Sequence, residues 1–443
     1  MVDALAEKLR SETLLIDGWE DILRRLVYGV ATAHVGKPSV VLGLRDLTGH
    51  RGNAAKIVET AQSCLKEMGV VDAGCLLAVV TDNPSTLACF CHLLNTTVGE
   101  ILSYKPAKAQ VSRINCIVTF FNGSHFWGGQ LKVLALADAI TQGLKQNCES
   151  QWYALIIFCL SVQAHRVPLN TLIARPDARK SQNRLSIVHA DVRTAVQDYD
   201  DSFWPMIDQL ICVAKLLVDV IAVCKLQSAT LADCYDHAHR SQPYMIKSVI
   251  DHIRLAVGDD PEFIKHAHTT LDKRFWLIAT PLHRLALFLH PLCQKLAVLE
   301  LRDLKLTALT IFKEKWNWSR EDCAQLGQDV DDYHACRKGF EGGNKDPCAW
   351  WESLTMNSEK RKLKLFAVAI LSIIPHAAEI KHLFSSLNGI HSPKWNGLSI
   401  PTFDKLAKLR SYYAEEARHQ TGKVASSERR FTQIHSEQGP SMK

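Results

Sequence analysis

The chain has 443 residues, of which 47% are hydrophobic and 22% are charged. These proportions are those of a globular protein, and they exclude a disordered chain and a coiled coil. Lys and Arg outnumber Asp and Glu by 52 to 46, a net charge of +6, and an excess this small permits a polyanionic partner without requiring one.

The beginning of the chain carries no predicted targeting segment. Residues 1–12 are charged throughout and lack the apolar core of a signal peptide. The longest apolar runs, such as residues 210–224, contain charged side chains and are shorter than the roughly 20 residues of a membrane span. The 14 cysteines follow no framework spacing, which is typical of reduced thiols. We therefore expect an intracellular protein with no membrane partner.

Three segments rich in β-branched residues follow, at residues 13–19, 25–35 and 39–47. The sequence Gly-Lys-Pro at residues 36–38 separates the second segment from the third and predicts a hairpin turn. Because the links are short, the three strands should form an antiparallel meander.

A helix and a fourth strand come next. Apolar residues recur at helical spacing over residues 57–68, including Val58 and Met68, and Gly69 predicts the end of that helix. Residues 75–82 are continuously apolar until Asp82, which is typical of a strand buried on both faces. This order predicts an α/β fold in which a crossover places the fourth strand beside the first.

The middle of the chain, residues 126–340, is predicted to be almost wholly helical. Pro281 should interrupt the helical pattern of residues 274–291. Residues from 415 onward are polar and predict a disordered tail. Polar segments predict exposed connections at residues 174–186 and 338–347.

Asp17 and Asp82 are candidate metal ligands because each ends an apolar strand. Rigid neighbouring strands can hold carboxylates at the positions that Mg²⁺ requires, and two such ions drive in-line phosphoryl transfer. If the site exists, the two carboxylates should lie within about 4–7 Å of each other. The competing interpretation is that each Asp merely caps a strand or turn.

Other residues allow more than one interpretation. Cys89 and His92 could share a zinc ion, but a structural zinc site needs four ligands, so buried thiol packing is the alternative. Trp152 could stack on a base, although a Trp that opens an apolar helix more often belongs to a core. The charged run at residues 359–362 fits a phosphate patch, a nuclear signal or a solvated helix face.

Together these segments resemble the transposases of the hobo–Activator type (hAT), in the form found as multicopy elements in fungi. The resemblance extends over residues 14–413 and is most specific near the carboxyl terminus. Its motifs are IDGWED at residues 16–21, VVTDNPST at 79–86, CFCHLLN at 89–95, ESQWYAL at 149–155, AWWESL at 349–354 and ILSIIPHAAEIKHLFSSLNGIHSPKWNGLS at 370–399.

The resemblance implies a fold and a domain plan. The fold is a ribonuclease H-like mixed sheet interrupted by a large all-helical insertion. Residues 1–125 would form the first part of the ribonuclease H-like domain, and residues 126–345 the insertion. Residues 346–414 would be a helical dimerisation region that completes the core, followed by the tail at residues 415–443.

The resemblance also implies an ancestral activity. In the family two Asp and one Glu bind the Mg²⁺ or Mn²⁺ ions with which DNA strands are cut and joined. Asp17 and Asp82 would be the two Asp, and Trp152 would lie in a DNA-contacting segment. The expected partners are transposon DNA and a second copy of the chain, and the expected location is the nucleus.

The position of the third carboxylate departs from the family. Its pattern P-x-S-A-x-x-E-R-x-F-S, laid on residues 375–385, places the catalytic Glu on Lys381. Glu379 lies two residues earlier, which on a helix turns it about 200° away. When an ammonium replaces a carboxylate about 4 Å from a metal ion, the free energy of metal binding becomes less favourable by several kcal/mol. The resemblance therefore predicts that catalysis is lost and that no metal is bound.

Further departures concern the strands and the beginning of the chain. Only residues 83–88 separate the second Asp motif from the Cys-x-x-His motif, where relatives have most of a helix and another strand. Gln151 replaces an Arg, and residues 1–60 contain no Cys and His set for a zinc finger. We therefore expect a truncated, degenerate protein whose sheet lacks a strand.

Three functional hypotheses remain open. The first is a transposon-derived protein that no longer cleaves DNA, and the second is a domesticated DNA-binding or protein-interaction module. The third is a working nuclease whose third acid is Glu379 or Asp21. For assembly, a helical stripe should present an apolar face to a second copy, formed by Leu363, Phe366, Ala367, Ile370, Leu371 and Ile374.

Overall fold

The computed structural model describes residues 12–50, 54–70, 76–81, 87–147, 154–180, 187–197, 203–235, 250–251, 260–278, 280–295, 301–316, 318–358, 360–390 and 397–421. Over these residues the fold is mixed α/β, with helices predominating. The chain forms two compact units. The first comprises Met1–His92, Ala222–His239 and Leu277–Lys443, and the second comprises Leu93–Ile221 and Arg240–Trp276.

The first unit contains a five-stranded sheet in the order β3-β2-β1-β4-β5. Its strands are β1 (Thr13–Glu20), β2 (Leu26–Ala33), β3 (Val40–Asp46), β4 (Ala78–Thr81) and β5 (Leu87–Ala88). β1, β2 and β3 form an antiparallel meander, whereas β4 runs parallel to β1 and β5 parallel to β4. The predicted meander and crossover are confirmed. A two-residue β5 is present where the sequence predicts a missing strand, so the sheet is short at this edge.

Local sequence features determine the turn and the crossover helix. Gly36, with a φ of +76°, lies in the predicted hairpin turn between β2 and β3. α1 (Ala54–Glu67) connects β3 to β4, and Gly69, with a φ of +81°, follows its end as predicted. Val58 and Met68 are exposed rather than buried. The buried face of α1 is therefore narrower than its apolar spacing predicts.

Helices follow β5 along the chain. They are α2 (Phe90–Ile101), α3 (Lys105–Gly123), α4 (His125–Ala137), α5 (Ala154–Ala164), α6 (Arg166–Ala174), α7 (Pro176–Arg179), α8 (Ala190–Val196), α9 (Phe203–Cys224), α10 (Leu231–Tyr235) and α11 (Pro261–Ile278). The short helix α7 lies in the segment predicted to be an exposed connection; it buries Ala178, while residues 174, 176, 179 and 180 are exposed, as predicted. Residues 181–186 of that segment lie outside the described residues.

The carboxyl-terminal part of the first unit is also helical. It contains α12 (Pro281–Leu289), α13 (Leu301–Trp316), α14 (Arg320–His334), α15 (Pro347–Ser353), α16 (Lys362–Leu371), α17 (Ala378–Ile390) and α18 (Ile400–Thr421). The break predicted at Pro281 is confirmed, because α12 begins there. α18 continues to Thr421, so the tail predicted from residue 415 begins too early. Residues 422–443 lie outside the described part of the chain.

The core of these helices is rich in aromatic side chains. Trp351 is fully buried and donates from Nε1 to the Leu289 carbonyl at 2.8 Å. The Tyr333 ring lies 4.9 Å from the Trp351 ring and 5.7 Å from the ring of Phe340. Phe340 lies in the predicted connection between α14 and α15 and is itself buried, whereas residues 338–339 and 341–346 around it are exposed, as predicted.

The apolar stripe of α16 does not face a second copy. Each of its predicted members is buried inside this chain: Leu363, Phe366, Ala367, Ile370, Leu371 and, just beyond the helix, Ile374. The helix is surrounded by α12, α14 and α15, which cover the stripe. The assignment of this stripe to a dimer interface is therefore wrong, because helical spacing reveals an apolar face but not what covers it.

Two cations of the charged run at residues 359–362 are committed to the fold, and residue 359 lies outside the described residues. Arg361 Nε lies 2.7 Å from Oδ1 of the buried Asp329, and its guanidinium lies over the Phe340 ring. The Lys362 ammonium lies 4.9 Å from the centre of the Trp318 ring and 3.7 Å from Asp322 Oδ1. These cations hold α16 against α14, so they do not form a free patch for phosphate.

The edge of the sheet at β3 is covered by α18. The Asp404 carboxylate accepts from the Leu44 N–H at 2.7 Å, and the Ser411 hydroxyl donates to the Ser39 carbonyl at 2.8 Å. An uncovered edge strand invites pairing with other chains. The helix therefore occupies backbone groups of β3 that another strand could otherwise use.

No helix in the described part of the chain is by itself long and apolar enough to span a membrane. α5 and α6 reach that length and composition only together, and they are bent by 52° relative to each other.

Substitutions at two adjacent glycines test how closely α3 and α4 pack in the second unit. A Cβ atom on Gly128 would lie 2.3 Å from the Phe121 carbonyl oxygen, whereas one on Gly129 meets nothing within 4 Å. We expect Gly128→Ala to lower the free energy of unfolding by about 1–3 kcal/mol, because the backbone at Phe121 would have to move away from the new methyl group. Gly129→Ala should raise it by up to about 1 kcal/mol. Urea unfolding followed by circular dichroism measures both, and equal midpoints for the two variants would contradict this packing.

Candidate functional site

Asp17 lies in β1, the central strand of the sheet, with β2 on one side and β4 on the other. Its neighbours Leu14 and Ile16 pack toward α1. Because side chains alternate along a strand, Asp17 points to the opposite face, where α17 packs. The carboxylate is 1% exposed, and its Oδ1 accepts from the Gly18 N–H at 2.9 Å.

A glycine on the neighbouring strand allows α17 to approach Asp17 closely. Gly29 is the cross-strand partner of Asp17. A Cβ atom there would lie 2.9 Å from the Phe384 ring and 3.1 Å from Ile380, both on α17. Phe384 also stacks on Trp19, with 5.5 Å between ring centroids. The missing side chain at Gly29 therefore sets the distance between helix and sheet.

The residue that α17 brings to Asp17 is Lys381. Its Nζ lies 3.5 Å from Asp17 Oδ2, and its side chain is 23% exposed while that of Asp17 is almost completely buried. A buried carboxylate needs a compensating positive charge, and removal of one partner from such a pair typically costs about 3–5 kcal/mol. Lys381 provides that charge from within the chain.

The alternative third acids are committed to other contacts. Glu379 Oε1 accepts from Gln227 Nε2 at 3.0 Å, in agreement with the prediction that it faces away from Asp17. Asp21 is buried in the turn between β1 and β2, where it accepts from the N–H groups of Leu23 and Arg25 and forms an ion pair with Arg25 at 2.7 Å. Neither carboxylate is placed to complete a metal site with Asp17.

Two predicted site residues cannot be compared with the structure. Asp82 and Trp152 lie outside the described residues, so the expected distance between the Asp17 and Asp82 carboxylates stays a prediction. β4 pairs with β1 as far as Thr81, which is opposite Ile16. The adjacent strands on which the prediction depends are therefore present.

Cys89 lies just before α2, and His92 lies in its first turn. Cys89 donates from its backbone N–H to the Thr81 carbonyl at 2.9 Å, and burial raises the pKa of its thiol. Among the described side chains, no group of three or more His, Cys, Asp or Glu could hold a metal ion. The interpretation of Cys89 as a buried, packed thiol is the one that agrees with its 1% exposure.

Sequence reasoning missed His376, which fixes the start of α17. Its Nδ1 accepts from the Ala378 N–H at 3.3 Å, so Nε2 carries the proton and donates to the Leu226 carbonyl at 3.2 Å. Burial lowers the pKa of His376 to about 4, against the opposing effect of the nearby Glu379. A polar residue just before a predicted helix is a capping signal that could have identified it.

Among the described residues, the surroundings of Asp17 do not fit a divalent metal ion. Mg²⁺ and Mn²⁺ require negatively charged oxygen ligands, and the ammonium of Lys381 already balances the Asp17 carboxylate. An ion placed at Asp17 would have to displace Lys381 or be repelled by it. The described side chains form a neutral ion pair at this place.

The neutral state of His376 predicts a pH dependence of stability. Its pKa is about 4 in the folded protein and 6.5 ordinarily, so the unfolded chain takes up a proton first as the pH falls below 6.5. By linkage the free energy of unfolding should therefore fall by about 2 kcal/mol between pH 7.5 and pH 5 because of this residue. The His376→Asn variant keeps a capping acceptor but cannot take up this proton. Its free energy of unfolding, measured with urea, should fall less over that pH range than that of the wild type. His50→Asn, at an exposed position, is the control, and identical losses in all three proteins would refute the role of His376.

Comparison with known proteins adds no family to this geometry. No protein-family model matches the chain, and no curated protein matches it. Its relation to hAT transposases therefore stays a resemblance of motifs. What the structure adds is the pairing of two motif residues, Asp17 and Lys381.

Proposed function

We propose that this chain is a hAT transposase-like protein that keeps a ribonuclease H-like frame and has lost DNA strand cleavage and joining. The observation that carries the proposal is the distance of 3.5 Å between Lys381 Nζ and Asp17 Oδ2. The same lysine takes the place of the third carboxylate when the family pattern is laid on residues 375–385. Motif and geometry thus agree on one residue.

The sheet supports the ribonuclease H-like part of the proposal. Three antiparallel strands, a crossover helix and a parallel fourth strand, in the order β3-β2-β1-β4-β5, place the first carboxylate on the central strand. A long helical segment separates this sheet from α17, which returns to pack on it. Such an arrangement fits a nuclease-like domain interrupted by an insertion.

The loss of activity follows from charge. Two-metal catalysis stabilises the attacking and the leaving oxygen, so each ion must be held by anionic ligands. With Lys381 beside Asp17, the site has one positive charge where the ancestral chemistry needs a further negative one. At an effective dielectric of 20, each unit charge at 4 Å contributes roughly 4 kcal/mol, which is enough to prevent metal binding.

Partners and location are part of the same proposal. We infer transposon DNA as the ancestral partner, a second copy of the chain as the present one, and the nucleus as the location. The alternative function is a domesticated DNA-binding or protein-interaction module. The ion pair is compatible with this alternative as well, because a site neutralised from within the chain needs no metal ion.

A strand-cleavage assay tests the loss of activity. We expect the purified full chain to leave supercoiled DNA intact with Mg²⁺ or Mn²⁺, at the level of the Asp17→Ala variant, because Lys381 excludes the ions. The Lys381→Glu variant tests whether the acid alone restores cleavage. We expect that it does not, because the segment at residues 83–88 is too short for the helix and strand that relatives have there. Metal-dependent cleavage by the wild-type chain that disappears in Asp17→Ala or Asp82→Ala would overturn the proposal.

A further inference from the structure

We draw no further inference here: the strongest candidate, the apolar patch that Val133 and Leu136 expose on one face of α4 in the second unit, carries none, because nothing in the described part of the chain shows what covers it.

Discussion

A buried carboxylate in the middle of a sheet has to be balanced by positive charge, and in this protein that requirement falls on Asp17. Asp17 lies on β1, between β2 and β4, and its side chain is almost completely buried. The Asp17 carboxylate points to the face of the sheet that α17 covers, so a cation on that helix can balance its charge. Lys381 does so from that helix, and the cost of an unpaired buried charge makes the position of α17 part of the electrostatics of the sheet.

Other residues of the first unit help α17 to bring Lys381 close to Asp17. Gly29 removes the side chain that would keep α17 away, while Phe384 and Trp19 fill the space beside it. His376 accepts from the Ala378 N–H at the start of the helix and donates to the Leu226 carbonyl. These contacts hold the helix to the sheet without any metal ion, as the proposed loss of DNA cleavage requires.

Periodicity and turn residues were sufficient to predict the meander, the crossover helix, its end at Gly69 and the break at Pro281, because each depends on neighbours in sequence. Other features depend on helices that are distant in sequence, so local patterns could not predict them. These are the burial of the α16 stripe and the ion pair between Arg361 and Asp329. For the site, motif alignment singled out Asp17 and Lys381. Their proximity depends on Gly29, whose role as a packing position is visible only when strand and helix are seen together.

The central claim is that Lys381 supplies the charge that a metal ion would otherwise bring to Asp17. It is tested most directly by titration of Mn²⁺, followed by electron paramagnetic resonance, into the wild-type, Lys381→Met and Lys381→Glu chains. We expect no specific site in the wild type and a site in Lys381→Glu that is at least about tenfold tighter than any in Lys381→Met. That site should disappear when Asp17→Asn is added. A wild-type site that depends on Asp17 and is not strengthened in Lys381→Glu would contradict the claim.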